Sequence, residues 1–123
     1  MKIKTVELTG AALDWAVAKC EGMNLRHFSQ QYGCYRDHQC EDDIPSVPGY
    51  AWKPSTDWSQ GGPIIDRAGI NLTTGMTKFD WWAVQDSGAG FKANGPTPLI
   101  AAMRCYVASK LSDEIDIPEK LLQ

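Results

Sequence analysis

The chain is poor in three things, and each lack narrows what it can do. It has only two His, His27 and His38, so general acid–base chemistry has few of its usual carriers. It has no cluster of basic residues. Its 12 Lys and Arg are outnumbered by 15 Asp and Glu, for a net charge of −3. A face that tracks the phosphates of duplex nucleic acid needs clustered cations, so that partner is not expected. No apolar run approaches the roughly 18 residues that span a bilayer. The start, Met1-Lys2-Ile3-Lys4-Thr5-Val6-Glu7, lacks the apolar core of a signal peptide, and a cytoplasmic protein is expected. A length of 123 residues fits one domain over residues 1–123.

What is present in excess is tryptophan. Five Trp stand beside 11 Gly and 7 Pro: many flat apolar faces and many special backbone positions. The four Cys are Cys20, Cys34, Cys40 and Cys105, most simply free thiols in a reducing compartment. Cys34, His38 and Cys40, with His27 as a possible fourth, include metal-ligand types. Their spacing matches no familiar zinc pattern, so a surface loop is the expectation and no metal is assigned.

Residues 1–7 read as a strand. Thr9 reads as the N-cap of a helix over 10–20, with Leu13, Ala16, Val17 and Cys20 on one face and Gly22 just past its end. The stretch from Gly33 to Gly49 reads as an irregular excursion. Ser55 or Thr56 is expected to cap a single helical turn. Gly61-Gly62-Pro63 then enters a short helix closed by Gly69. A hairpin is expected from 70–74 and 77–84, and a largely apolar helix follows Thr97-Pro98. The expected fold class is α+β: a small antiparallel sheet of residues 1–7, 70–74 and 77–84 packed against two main helices, with long irregular loops.

Two stretches set glycine before an expected helix start, Gly61-Gly62-Pro63 and Asn94-Gly95-Pro96-Thr97-Pro98. Helix N-termini attract anions through their N–H groups and dipole, though such glycines also serve plain tight turns. Neither stretch is a P-loop. Trp58 offers a stacking face flanked by Asp57 and Gln60, and Arg104 could neutralise a phosphate. The expected ligand-binding residues are Asp57, Trp58, Gln60, Gly61, Gly62, Gly95, Thr97 and Arg104, with no cofactor. Catalysis has thinner support. Asp57 and Asp66 could form a carboxylate pair, Ser55 and Ser59 lack a His partner, and Cys34 with His38 lacks an orienting third group.

Three blocks carry a resemblance. They are Lys4 to Ala18 (KTVELTGAALDWAVA), Ser55 to Ile65 (STDWSQGGPII) and Gly95 to Arg104 (GPTPLIAAMR). In that order they resemble the NinX-like family of lambdoid phage proteins, a domain of unknown function. The resemblance implies a small phage accessory protein working in the host cell cytoplasm, and it carries no catalytic residues. The expected function is non-catalytic capture of a small anionic ligand, such as a nucleotide signal of host defence. The alternatives are a factor that docks on a host protein and, behind it, a nucleotide hydrolase. Trp-bearing surfaces also make a homo-oligomer an expectation.

Overall fold

The most apolar helix sets the architecture. The structure, a computed structural model, describes residues 1–23, 25–30, 33–36, 51–75, 80–85, 91–111 and 113–122. Within it, helix α3 (Pro98–Lys110) buries Leu99, Ala101, Ala102, Met103, Cys105, Tyr106, Val107 and Ala108. A helix apolar around most of its circumference must be covered on several sides. Here it packs against both other helices, α1 (Gly10–Cys20) and α2 (Trp58–Ala68), and against a three-stranded antiparallel sheet. That sheet is β5 (Ile70–Thr74), β6 (Trp81–Gln85) and β7 (Lys92–Gly95), in that order. Ala83, Ala93 and Gly95 are buried, and their small size lets the helix lie close.

Two smaller antiparallel sheets complete the α+β fold. β2 (Leu25–Ser29), β3 (Gly33–Arg36) and β4 (Ala51–Trp52) form a ribbon beside α1. β1 (Lys2–Lys4) pairs with β8 (Glu114–Asp116), with Ile3 opposite Ile115. The expectation that residues 1–7 join the 70–84 hairpin is therefore corrected. β1 is only three residues long, and Thr5 turns into a 3-10 helix while donating from its N–H to the Asp113 carbonyl at 2.8 Å. The hairpin takes β7 as its third strand, its nearest neighbour along the chain.

The expected helix starts divide. Thr9 and Gly22 sit where expected, as N-cap and the residue past the C-cap of α1. Thr97 caps α3, its hydroxyl accepting from the Ile100 N–H at 3.2 Å. Around residue 60 the expectation is corrected: Gly61-Gly62-Pro63 lies inside α2, which makes a third main helix. The cap is Asp57, which accepts from the Ser59 N–H at 2.9 Å. Pro63 cannot donate to the Ser59 carbonyl, but both residues are exposed, so water can. The stretch 33–49 is likewise not all irregular, since Gly33–Arg36 is a strand. His38 and Cys40 lie outside the described residues.

Candidate functional site

The residues expected to bind ligand are largely occupied by the fold. The Gln60 amide uses both ends: Oε1 accepts from the Lys53 N–H at 2.6 Å, and Nε2 donates to the Ala51 carbonyl at 2.7 Å. A Cβ on Gly61 would meet the Pro54 carbonyl oxygen at 2.5 Å and Leu99 at 2.6 Å. Gly61 is thus the contact that brings the first turns of α2 and α3 together. Gly95 is pressed on Ala101 in the same way. Arg104 donates from Nε to the Leu8 carbonyl at 2.7 Å and from Nη1 to the Asn94 carbonyl at 2.9 Å. It ties the entry of α1 to β7. Asp57 is a partly exposed cap, held below the usual carboxylate range by the Ser59 hydroxyl and N–H. Trp58 is 54% exposed, and Gly62 is half-buried beside it. Asp57 and Asp66 sit at opposite ends of α2, about 13 Å apart along the axis at 1.5 Å per residue, too far to act as one carboxylate pair.

A different place concentrates chemistry. A cleft of about 330 Å³ opens between the first turn of α1, strand β3 and the turn after β4. Its lining includes Gly10, Asp14, Cys34, Tyr35, Lys53 and Ser55. Asp14 is 6% exposed and Ser55 2%. The Ser55 N–H donates to Asp14 Oδ1 at 2.9 Å, and the Trp52 indole N–H donates to the Asp14 carbonyl at 3.0 Å. The Cys34 thiol donates to the Ala11 carbonyl at 3.4 Å. With the Gln60 clasp on 51–53, these bonds hold the cleft wall between α1 and α2.

Two features of this cleft are not explained by folding. The buried Ser55 Oγ finds no hydrogen-bond partner of sound geometry among the described residues. Leaving such a hydroxyl unsatisfied costs free energy. Burial also pushes the Asp14 carboxyl up to about 6, against the opposing pull of the Ser55 N–H and the nearby Ser55 hydroxyl. The Cys34 thiol is pushed up to about 12 by burial and by Asp14, so it is a neutral, unreactive sulfur. At the mouth, Thr9 supplies no side-chain cap to α1. Gly10 opens the helix at φ +59°, a left-handed conformation that L side chains resist. Helix-start N–H groups have no partner within their own helix.

A signal for Asp14 exists in the sequence. Its neighbours at three- and four-residue spacing are Gly10, Ala11, Val17 and Ala18, so a carboxylate sits in a helical face of small apolar residues with no cation in reach. Ser55 carries no comparable signal between Pro54 and Thr56.

The family model described as Bacteriophage P22, NinX matches residues 4–110. The chain belongs to the NinX family. All the cleft residues named above fall inside the matched span. That family is phage-encoded and of unknown function, so membership supports a phage accessory protein. The chain matches no curated protein. Among the described residues, no group of three or more His, Cys, Asp or Glu could hold a metal ion, and no helix is long and apolar enough to cross a membrane.

Proposed function

We propose that this phage accessory protein is a non-catalytic binding module that captures a small anionic ligand, of the nucleotide class, in the Asp14–Ser55 cleft. The observation that carries this reading is the open cleft, in whose wall the buried Ser55 hydroxyl lies near the Asp14 carboxyl and makes no hydrogen bond of sound geometry among the described residues. A ligand could meet it after a small side-chain shift, since the oxygen itself has almost no accessible surface. The uncapped first turn of α1 and the Lys53 ammonium suit an anionic group. Tyr35 and Trp52 supply aromatic walls, and the volume lies in the range of small-molecule sites. In a phage, such capture would remove a nucleotide signal used by host defence.

Ser55→Ala separates a binding role from a structural one. Loss of an unsatisfied buried hydroxyl leaves stability unchanged or raises it by up to about 1 kcal/mol. In calorimetric titration against a panel of cyclic and linear nucleotides, the same variant should bind about 3–10-fold more weakly than wild type. No binding of any panel member at high micromolar concentration would contradict the reading.

Docking on a host protein is the second reading, favoured by Trp58 and Trp82, which are 54% and 38% exposed. Capture from host lysate that is lost in Trp58→Ala would support it. Sedimentation of Trp82→Ala beside wild type tests whether those faces instead join copies of this chain. Turnover of a bound nucleotide, abolished by Asp57→Asn, would turn the module into a hydrolase.

A further inference from the structure

We infer that the free edge of β5 is an interface between two copies of this chain, which pair β5 to β5 about a two-fold axis into one continuous antiparallel sheet. The inference is independent of the capture reading, because no β5 residue lines the Asp14–Ser55 cleft.

The ladder fixes which way the β5 backbone points. In an antiparallel sheet, successive residues of a strand turn their N–H and C=O groups to opposite sides. The Gln85 N–H donates to the Phe91 carbonyl at 3.0 Å, so Gln85, Ala83 and Trp81 face β7, and Val84 and Trp82 face β5. Their partners Asn71 and Thr73 therefore bond to β6. Gly75, next in that series, donates to the Asp80 carbonyl at 2.6 Å. Ile70, Leu72 and Thr74 turn their backbone groups outward, away from the sheet. Among the described residues, the Leu72 and Thr74 N–H groups and the Leu72 carbonyl meet no partner. The Thr74 carbonyl accepts only from the neighbouring Thr73 hydroxyl, at 3.1 Å.

The other sheet edges are closed or charged. On β7, the outward Asn94 carbonyl accepts from Arg104 Nη1 at 2.9 Å, and Lys92 is charged and exposed. β4 is two residues long and is clasped by Gln60. β1 and β8 are three residues each and carry Lys2, Lys4, Glu114 and Asp116. β2 lies beside the 3-10 helix Glu119–Leu121, and the Gln30 N–H at its end donates to the Lys120 carbonyl at 2.9 Å. Shortness, charge and covering groups are what keep an edge from pairing with another strand. β5 has none of them: it is five residues, Ile-Asn-Leu-Thr-Thr, without a charge or a proline.

The strand is also its own complement. With Leu72 opposite the partner's Leu72, Ile70 falls opposite the partner's Thr74. The outward groups then meet in pairs that can exchange both bonds. Asn71 falls opposite the partner's Thr73 on the exposed face, so no like charges meet. Ile70 and Leu72 extend one apolar face across the axis. A foreign strand would instead be fixed by pockets for its alternate side chains. The clefts of about 250, 430 and 330 Å³ all open along α1 and include no β5 residue.

The test is sedimentation velocity of the full chain from low to high micromolar concentration. The expected mass rises toward twice the 13.6 kDa of one chain. Thr74→Pro removes an N–H that points outward, so the ladder to β6 stays intact while the incoming strand loses a donor. Thr73→Lys sets a charge on the exposed edge beside the axis. Each should weaken self-association at least about tenfold, and Trp82→Ala should leave it unchanged. Should Thr74→Pro fail to fold, Thr73→Lys and the hydrogen exchange of wild type decide. The Leu72 and Thr74 amides should gain protection as concentration rises, while the Asn71 and Thr73 amides, bonded to β6, stay protected throughout. A chain that stays monomeric, exchange at Leu72 and Thr74 that ignores concentration, or a dimer that survives the β5 variants but not Trp82→Ala overturns the inference. The nucleotide titrations stand or fall separately.

Discussion

Asp14 shows how one residue can weaken a fold and still be worth its place. Its ordinary carboxyl value is 3.8, and burial raises it to about 6 in the folded chain. Between those values the folded state binds more protons than the unfolded one, so stability falls as pH rises through that window. The shift corresponds to about 3 kcal/mol, present in full below pH 3.8 and lost above about pH 6. Urea denaturation should show this slope in wild type and not in Asp14→Asn, so the two curves diverge as pH rises from 4 to 6.5. Parallel curves would mean the carboxyl is not held as described. Arg104 makes the opposite case. Its guanidinium is half-buried, burial lowers its pKa, and two backbone carbonyls accept hydrogen bonds from its N–H groups. Arg104→Met should cost roughly 2–3 kcal/mol by the same assay, because the carbonyls lose their donors. Lysine should not restore the stability, since one ammonium cannot copy the guanidinium fork. As a sequence letter Arg104 looked like a phosphate ligand. Whether an Arg faces a ligand or a carbonyl depends on chain 96 residues away at Leu8, which no local pattern reports.

At the scale of elements, α2 holds the clearest contrast. Gly61 and Gly62 are adjacent, yet only Gly61 is caught between Pro54 and Leu99. Gly61→Ala should cost about 1–3 kcal/mol through overpacking, despite alanine's higher helix propensity. Gly62→Ala meets only the Trp58 ring, at 3.9 Å, and should gain roughly 0.5–1 kcal/mol. Thermal melts of the two variants should shift in opposite directions. The end of α1 and the start of α3 were legible in the sequence because caps are local: Gly22 and Thr97 act within a few residues of themselves. The course of α2 was not legible, because Gly-Gly-Pro reads as a break. It continues because Asp57 caps it and because Gly61 packs where a side chain could not. β7 escaped notice since Lys-Ala-Asn-Gly has poor strand propensity. Its small residues serve the helix laid over them.

For the whole molecule, long-range closure decides what local reading could not. β1 finds β8 more than a hundred residues away. Behind that pair, Ile117 and Leu121 enter the same buried cluster as α1 and α3. Ile117→Ala should cost about 2–4 kcal/mol, seen as a lower denaturation midpoint with an unchanged slope. The α+β class was legible from alternating helix and strand patterns; which strands share a sheet was not. The cleft is a product of the same assembly, since Asp14, Cys34 and Ser55 come from three separated parts of the chain. Only Asp14 left a trace in sequence. The account's central claim is that ligand enters there. An amide ¹H–¹⁵N spectrum titrated with the same panel of cyclic and linear nucleotides tests it most directly. The account predicts shifts concentrated at Gly10, Ala11, Asp14, Ser55 and Thr56. Shifts gathered instead on Trp58, Gly62 and Thr97, or none at all, would contradict it.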